Sequence, residues 1–456
     1  MNTYIIVGII LVVIVALLAT NKKLVETLKN IYKIEELRTR ILFTLGLLLV
    51  YRLGSFVTLP GVDHAVLEQW TANFANDSSS LMGLLNIFSG GAFSQASIFA
   101  LGVMPYITAS IIIQLLGIMV PYFRKMQREG ESGRRRMNQW TRFLTIAVLL
   151  LQAPAYLATQ VLSSGAVTVT GDFLGITNGE FIVPAVIILI AGTMFIMWLG
   201  EKITDRGIGN GISLIIMIGI VARLPQSFLQ EFLFQTTGGG SIIMLIVELV
   251  FLALVFMLAI AIVQAVRKIP VQYAKRIVGN KQYGGVRQYI PLKLNAANVM
   301  PIIFAQALMF IPGLIWGGSW LDITSFWYNF TLVVLVIAFT YFYTAIIVNP
   351  QMMADDMKRN GGFIPGVKPG KSTVTYIDNI MTRITLPGSV FLAIITILPA
   401  IAMTLGITQG FAYFFGGTSL LIMVGVVLDT LKQIESYLLM RHYDGPMKTG
   451  RIQGRY

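Results

Sequence analysis

Apolar residues in this chain fall in long unbroken blocks, at neither the period of a half-buried strand nor that of a surface helix. The blocks run at about 40–58, 96–121, 140–161, 181–200, 211–223, 240–266, 295–316, 328–349, 384–405 and 416–438. A helix crosses the hydrocarbon core of a bilayer in about 20 residues, and most of these blocks have that length. The pattern predicts an all-α integral membrane protein of ten transmembrane helices, the fifth of them short. Met1 to Thr20 is uncharged and almost wholly aliphatic, long enough for an extra N-terminal hydrophobic helix. No positive charge precedes it, which argues against a secretory signal. Residues 21–39 carry Leu24, Leu28, Ile31 and Ile34 at helical spacing among lysines and glutamates. They read as an amphipathic surface helix or as a solvated helical linker.

Composition supports the same class. Of 456 residues, 55% are hydrophobic and 12% charged, against roughly 25% charged in a soluble domain. There is no cysteine, and His64 and His442 lie far apart, so disulfides, thiolate chemistry and a His/Cys metal site are excluded. The net charge of +13 is unevenly placed. Arg124, Lys125, Arg128, Arg134, Arg135, Arg136 and Arg142 follow the second block, and Arg267, Lys268, Lys275, Arg276, Lys281 and Arg287 follow the sixth. Lys358, Arg359, Lys368 and Lys371 follow the eighth, and the tail at 439–456 adds Arg441, Lys448, Arg451 and Arg455. The alternate connections at 59–95, 162–180, 224–239, 317–327 and 406–415 contain neither Lys nor Arg. Since basic residues stay on the cytoplasmic side, ten spans with both ends inside are expected, the C-terminus among them.

The spans offer little chemistry. Arg52, Glu248 and Asp429 are the main ionisable residues within them, and Arg52 and Asp429 sit toward helix ends. An ion-coupled transporter usually keeps carboxylates or cations within its spans, and no relay of that kind is visible. Nor is there a nucleophile with its base. Gly207, Gly209 and Gly211 are spaced like a phosphate-binding loop, but no strand precedes them. They read as a tight turn into the fifth helix.

Four stretches carry a resemblance to a known family. They are NIFSGGAFSQASIFALGVMPYITASIIIQLL from Asn86 to Leu116 and WLGEKITDRGIGNGISLII from Trp198 to Ile216. RKIPVQYAKRIVGNKQYGG from Arg267 to Gly285 leads on to IPLKLNAANVMPIIFA from Ile290 to Ala305. The last is GGFIPGVKPGKSTVTYIDNIMTRIT from Gly361 to Thr385, with FGGTSLLI from Phe415 to Ile422. In this order they resemble the SecY family, the protein-conducting channel subunits of the bacterial Sec translocon, over about residues 24–450.

The resemblance implies two inverted five-helix halves, 40–223 and 240–438, and a channel that opens across the membrane and sideways into lipid. It implies a pore ring of Val103, Ile107, Ile212, Ile216, Ile303 and Ile422, in which both pairs spaced by four share a helix face. Branched hydrocarbons at a constriction dewet it and block ions, yet form no fixed hydrogen bonds and so yield to a sliding peptide. It implies a plug at 81–91, with Leu81, Gly83, Asn86, Phe88, Gly90 and Gly91, whose glycines would let it swing. It implies a lateral gate with Thr108 and Gln114 on the second span and Ile311 and Ile315 on the seventh. Arg267, Lys268, Lys275, Arg276 and Lys368 would meet the partner that delivers substrate. The family usually has arginine where this chain has Lys368, and lysine lacks the planar fork.

Further expectations follow from the same likeness: no cofactor, no covalent chemistry, and residence in the plasma (inner) membrane. The expected partners are SecE and SecG as small subunits, the SecA motor, the ribosome, signal sequences with their nascent chains, and lipid. From the residues alone, two other readings stand beside it: a secondary transporter for a small solute and a polytopic lipid-modifying enzyme.

Overall fold

The computed structural model describes residues 34–63, 65–67, 86, 88–167, 178–237, 241–273, 276–278, 281–283, 287–316 and 323–448. The aliphatic segment 1–20, most of the amphipathic segment and the end of the tail lie outside these. The chain divides into two compact units, Met1–Leu53 with Phe195–Ile215 and Val426–Tyr456, and Gly54–Met194 with Ile216–Gly425.

Each predicted block coincides with a helix. In chain order these are α1 Glu35–Gly54, α2 Met104–Met119, α3 Pro121–Arg128, α4 Glu131–Tyr156, α5 Asn178–Arg206, α6 Gly211–Thr237, α7 Ile242–Gln264, α8 Met300–Trp316, α9 Phe326–Ile347, α10 Pro350–Arg359, α11 Lys371–Thr404, α12 Gln409–Ala412 and α13 Gly417–Lys448. By length and composition, 7 helices among the described residues can cross a membrane, or 8 if the bent pair α2–α3 is one span. The 17-residue α8 is too short for that count, and α1 carries Arg38, Arg40 and Arg52 in its length.

Several boundaries differ from the pattern. The second span is helical only from Met104, because Gly90, Gly91, Ala96 and Gly102 adopt positive φ and the segment before it is a run of turns. The fifth helix does not stop at 223: it runs through Pro225 to Thr237. Hydropathy falls there because Gln230, Glu231 and Gln235 enter the sequence; Gln230 is exposed, and the polarity of buried Glu231 and Gln235 is met by hydrogen bonds rather than by a loop. The ninth helix starts at Lys371, well before the apolar block at 384.

The chain also has strands that the apolar blocks do not announce. β1 Val266–Tyr273 pairs antiparallel with β4 Arg287–Lys293, and β5 Gly362–Phe363 adds to the other edge of β1. Between them lies a small hairpin of β2 Arg276–Val278 and β3 Lys281–Tyr283. The reason is local: in Arg-Lys-Ile-Pro-Val-Gln-Tyr the buried side chains are Ile269 and Val271, two apart, as on one face of a strand. Ile269, Val271 and Leu292 share a core with Met357 of α10, Ile364, and Ile377 and Met381 of α11. Asn349 caps α10, accepting from the Gln351 and Met352 amides at 3.0 and 3.2 Å.

In the first unit the glycine-rich turn before α6 is fully engaged. The Ile208 amide donates to Thr44 Oγ1 at 3.1 Å, the Gly209 amide to Gln433 Oε1 at 2.7 Å and the Gly211 amide to Thr204 Oγ1 at 2.9 Å. Those donors are taken by the protein itself, so the turn does not cradle a phosphate.

In the second unit a core forms around the turn-rich segment before α2. Phe93, Ala96 and Ala100 pack with Tyr156, Leu157 and Val161 of α4 and its π-helical extension, and with Leu189 of α5. The Tyr156 hydroxyl donates to the Phe93 carbonyl at 2.7 Å, and the two rings lie 4.8 Å apart.

Candidate functional site

The ring residues are best followed helix by helix. Val103 is the N-cap of α2 rather than a residue within it, and the Ile107 amide donates to its carbonyl at 3.0 Å. The pair therefore still spans one helical turn. Ile107 packs with Ile303 of α8 against one apolar cluster. Val103, Ile216 and Ile422 are buried in the second unit. Ile212 falls in the first unit, where a Cβ on Gly200 would come within 2.7 Å of its Cγ1.

That cluster defines the seam between α2 and α8. Ile107, Ile111 and Leu115 form a stripe at successive fours on α2 and share it with Met300, Ile303 and Phe304 of α8 and with Phe339 and Tyr343 of α9. Phe304 sits 5.5 Å from the Phe339 ring and 4.9 Å from the Tyr343 ring. The backbones of α2 and α4, of α8 and α9, and of α9 and α11 run close together, whereas α2 and α8 meet mainly through side chains. The Tyr343 hydroxyl is buried within this cluster without a hydrogen-bond partner among the described residues.

The expected gate residues are placed differently from one another. Thr108 Oγ1 donates to the Met104 carbonyl at 3.1 Å, and Gln114 Nε2 to Ser110 Oγ at 3.4 Å. Both bonds stay on α2, so these groups do not reach across. Ile311 and Ile315 lie in the C-terminal half of α8. The signal for the apolar stripe was in the sequence, since Ile107, Ile111 and Leu115 continue the four-residue spacing of the ring pair.

Of the plug positions, Leu81 and Gly83 lie outside the described residues. The Asn86 carbonyl accepts from the Gly91 amide at 2.9 Å, and its Oδ1 accepts from the Ser94 amide at 3.2 Å. Phe88 is half-buried. A Cβ on Gly90 would stand 2.9 Å from the Cα of Gly219, in the middle of α6, and Gly219 in turn faces the Phe88 carbonyl. Gly90 thus serves close backbone approach as well as a positive φ of 66°. A Cβ on Gly91 would meet the Arg223 guanidinium at 3.1 Å, and Arg223 Nη2 lies 3.5 Å from Ser94 Oγ. Sequence reasoning missed Gly219 and Arg223, because it ended the fifth helix at 223 and had no partner for either residue.

On the strand platform, Arg267 and Lys268 of β1 are exposed, as is Lys368 in the turn before α11. The Lys368 carbonyl accepts from Thr373 Oγ1 at 2.9 Å, which ties that turn to the start of the helix. Arg276 lies in β2 and Lys275 outside the described residues. Among the described residues no group of acidic or histidine side chains could hold a metal ion.

Comparison with known proteins adds an independent line. The profile of the family described as SecY matches residues 97–431. A protein translocase subunit SecY of Corynebacterium glutamicum is 42% identical over 446 residues, covering 91% of this chain and 98% of its own. One of Mycobacterium tuberculosis is 42% identical over 438 residues, covering 91% and 97%. Among solved structures, one described as a protein-conducting channel aligns with a TM-score of 0.60 at 19% identity, over 87% of this chain and 91% of that one. Sec61 in a canine ribosome–channel complex aligns with a TM-score of 0.56 at 18% identity, over 87% and 91%. At that identity the structural matches speak for the fold.

Proposed function

Because the chain belongs to the SecY family, we propose that it passes unfolded secretory proteins across the membrane and releases apolar segments sideways into lipid. It is a multi-pass membrane protein and the protein-conducting channel subunit of a translocon, not an enzyme. The solute-transporter and lipid-enzyme readings fall with that assignment.

The observation that carries the mechanism is the predominantly apolar seam between α2 and α8. In water, separating such a face would cost about 1.5–3 kcal/mol per large side chain. In a bilayer that term is absent, because lipid tails are as apolar as leucine. A seam of isoleucine, leucine and phenylalanine can therefore part toward lipid at small cost, and an apolar segment of the cargo can replace one wall of it. The two gate polar groups on α2 already have partners on their own helix, so parting leaves neither unsatisfied.

Val103, Ile107, Ile216, Ile303 and Ile422 of the second unit line the constriction. Their hydrocarbon surface excludes ions by dewetting and offers a passing chain no hydrogen bonds to break. The 86–94 segment is the anchored end of the plug, held on α6 at Gly219 and Arg223. Arg267, Lys268, Lys275, Arg276 and Lys368 belong to the cytoplasmic side by the distribution of Lys and Arg. They suit the phosphates of ribosomal RNA and an acidic surface of a motor alike. SecE, SecG, SecA and the ribosome are the partners, the membrane is the plasma (inner) membrane, and the C-terminus lies inside by the distribution of Lys and Arg.

The test is reconstitution. Vesicles holding this chain with its small subunits, SecA and ATP should shelter a signal-bearing precursor from external protease. Complete digestion of the precursor under conditions where SecA still hydrolyses ATP would refute the function.

A further inference from the structure

Glu248, the carboxylate that the sequence sets deep in an apolar span, has no part in the pathway above. The structure supplies its companion. The C-terminal stretch of α6 brings Glu231 and Gln235, one turn apart, against the start of α7. Glu231 is 0% exposed and Glu248 2% exposed. Gln235 Nε2 donates to both carboxyls, at 2.8 Å to Glu231 Oε1 and 3.0 Å to Glu248 Oε1. Gln235 Oε1 accepts from the Ser241 amide at 3.2 Å, which fixes the amide's orientation. The second Glu231 oxygen accepts from the Thr408 amide at 2.8 Å and from the Thr408 hydroxyl. The second Glu248 oxygen has no hydrogen-bond partner among the described residues.

Among the described residues nothing positive balances this pair: neither carboxyl contacts a lysine, arginine or histidine. On the turn at 408–415 the titratable side chain is Tyr413, whose hydroxyl accepts from Gln409 Nε2 at 3.2 Å. The nearest guanidinium along α6, Arg223, is two turns away against the plug segment. A metal ion is disfavoured as well, because the place between the carboxyls is taken by the Gln235 N–H donors. Two ionised carboxylates held together out of water and without a counter-charge are costly. Like charges at such range do not both ionise.

We propose that Glu231 and Glu248 form a proton-binding site: the pair holds one proton at neutral pH, on Glu248, and by removing one of two like charges it lets Gln235 fasten the end of α6 to α7 while Glu231 holds the 408–415 turn. Glu231 has donors on both oxygens. Around the site Phe228 meets Phe411 at 6.0 Å, a Cβ on Gly410 would stand 3.3 Å from Ser227 Oγ, and Phe251 stacks on Phe415 at 5.8 Å. The same turn leads through Gly416 and Gly417 into α13, which carries Ile422. Removing the proton leaves two buried negative charges that repel, so an alkaline medium loosens the fastening at the root of α13.

The site is independent of the channel reading, because its first readout involves no transport. The infrared spectrum of the full chain in lipid vesicles should contain a protonated-carboxyl carbonyl band at neutral pH that is lost reversibly on alkalinisation. E248Q, which keeps the shape and a neutral group, should lack the band. The chain has no cysteine, so spin labels at Gln230→Cys and Gln409→Cys report the fastening directly. Their separation should widen in alkali in the parent chain and stay constant in E248Q. Absence of the band from the parent chain at neutral pH overturns the proposal, whether or not E248Q folds. So does a band undiminished in E248Q, or a label separation indifferent to pH.

Discussion

The strand platform and the helical bundle of the second unit bury their side chains by opposite rules. In the platform the buried side chains are apolar and the charged ones lie outside: Ile269, Val271 and Leu292 are inside, while Arg267 and Lys268 are exposed. In the bundle burial does not follow apolarity. Leu151 is 78% exposed and Ile243 74%, whereas Glu231, Thr145 and Ser389 are fully buried. The platform is built for water, where removing hydrocarbon from solvent drives folding. The bundle is built for lipid, where that drive is missing and close packing with satisfied polar groups does the work. The same contrast explains why the platform can be a firm support while the α2–α8 seam can part.

The largest separation between the two rules is expected from deletions of equal chemistry. Ile377→Ala in the platform core removes a buried side chain and should cost about 2–5 kcal/mol, read as loss of protection of the 266–293 region from protease. Leu151→Ala on the bundle rim should change the thermal unfolding midpoint in lipid hardly at all. Equal effects at the two sites would break the comparison. Next is glycine. A Cβ on Gly416 would collide with the Ile395 carbonyl of α11, and one on Gly366 of the platform would meet nothing. Gly416→Ala should therefore cost about 1–3 kcal/mol through overpacking. Gly366→Ala, at a positive φ of 84°, should cost about 1–2 kcal/mol for backbone strain alone. Smallest is the orphaned hydroxyl at the seam. Tyr343→Phe removes a buried unpaired group and should favour the closed arrangement by about 1 kcal/mol, seen as lower ion leak and stricter dependence on signal hydrophobicity.

Legibility in the sequence follows the same division. Blocks of apolar residues announced the helices because length and hydrocarbon thickness are linked directly. They misjudged the ends wherever polarity is satisfied inside the protein, as at Glu231 and Gln235 of α6, or where a helix leaves the apolar block, as α11 does at Lys371. The strand of Ile269 and Val271 was legible from its period of two but was hidden among the lysines and arginines that drew attention to charge. Positions carried by family likeness, such as Ile107 and Ile303, fall in one cluster. The partners of the plug segment were not legible, because contact between Gly90 and Gly219 depends on a fold that brings residues more than a hundred apart backbone to backbone. No local pattern encodes that.

The account stands on an apolar seam that must part for cargo to move. Ile111→Cys with Phe304→Cys places two thiols in the shared cluster of a chain without cysteines of its own. Oxidation should stop protection of a signal-bearing precursor, and reduction should restore it. Undiminished translocation through fully cross-linked protein would contradict the account.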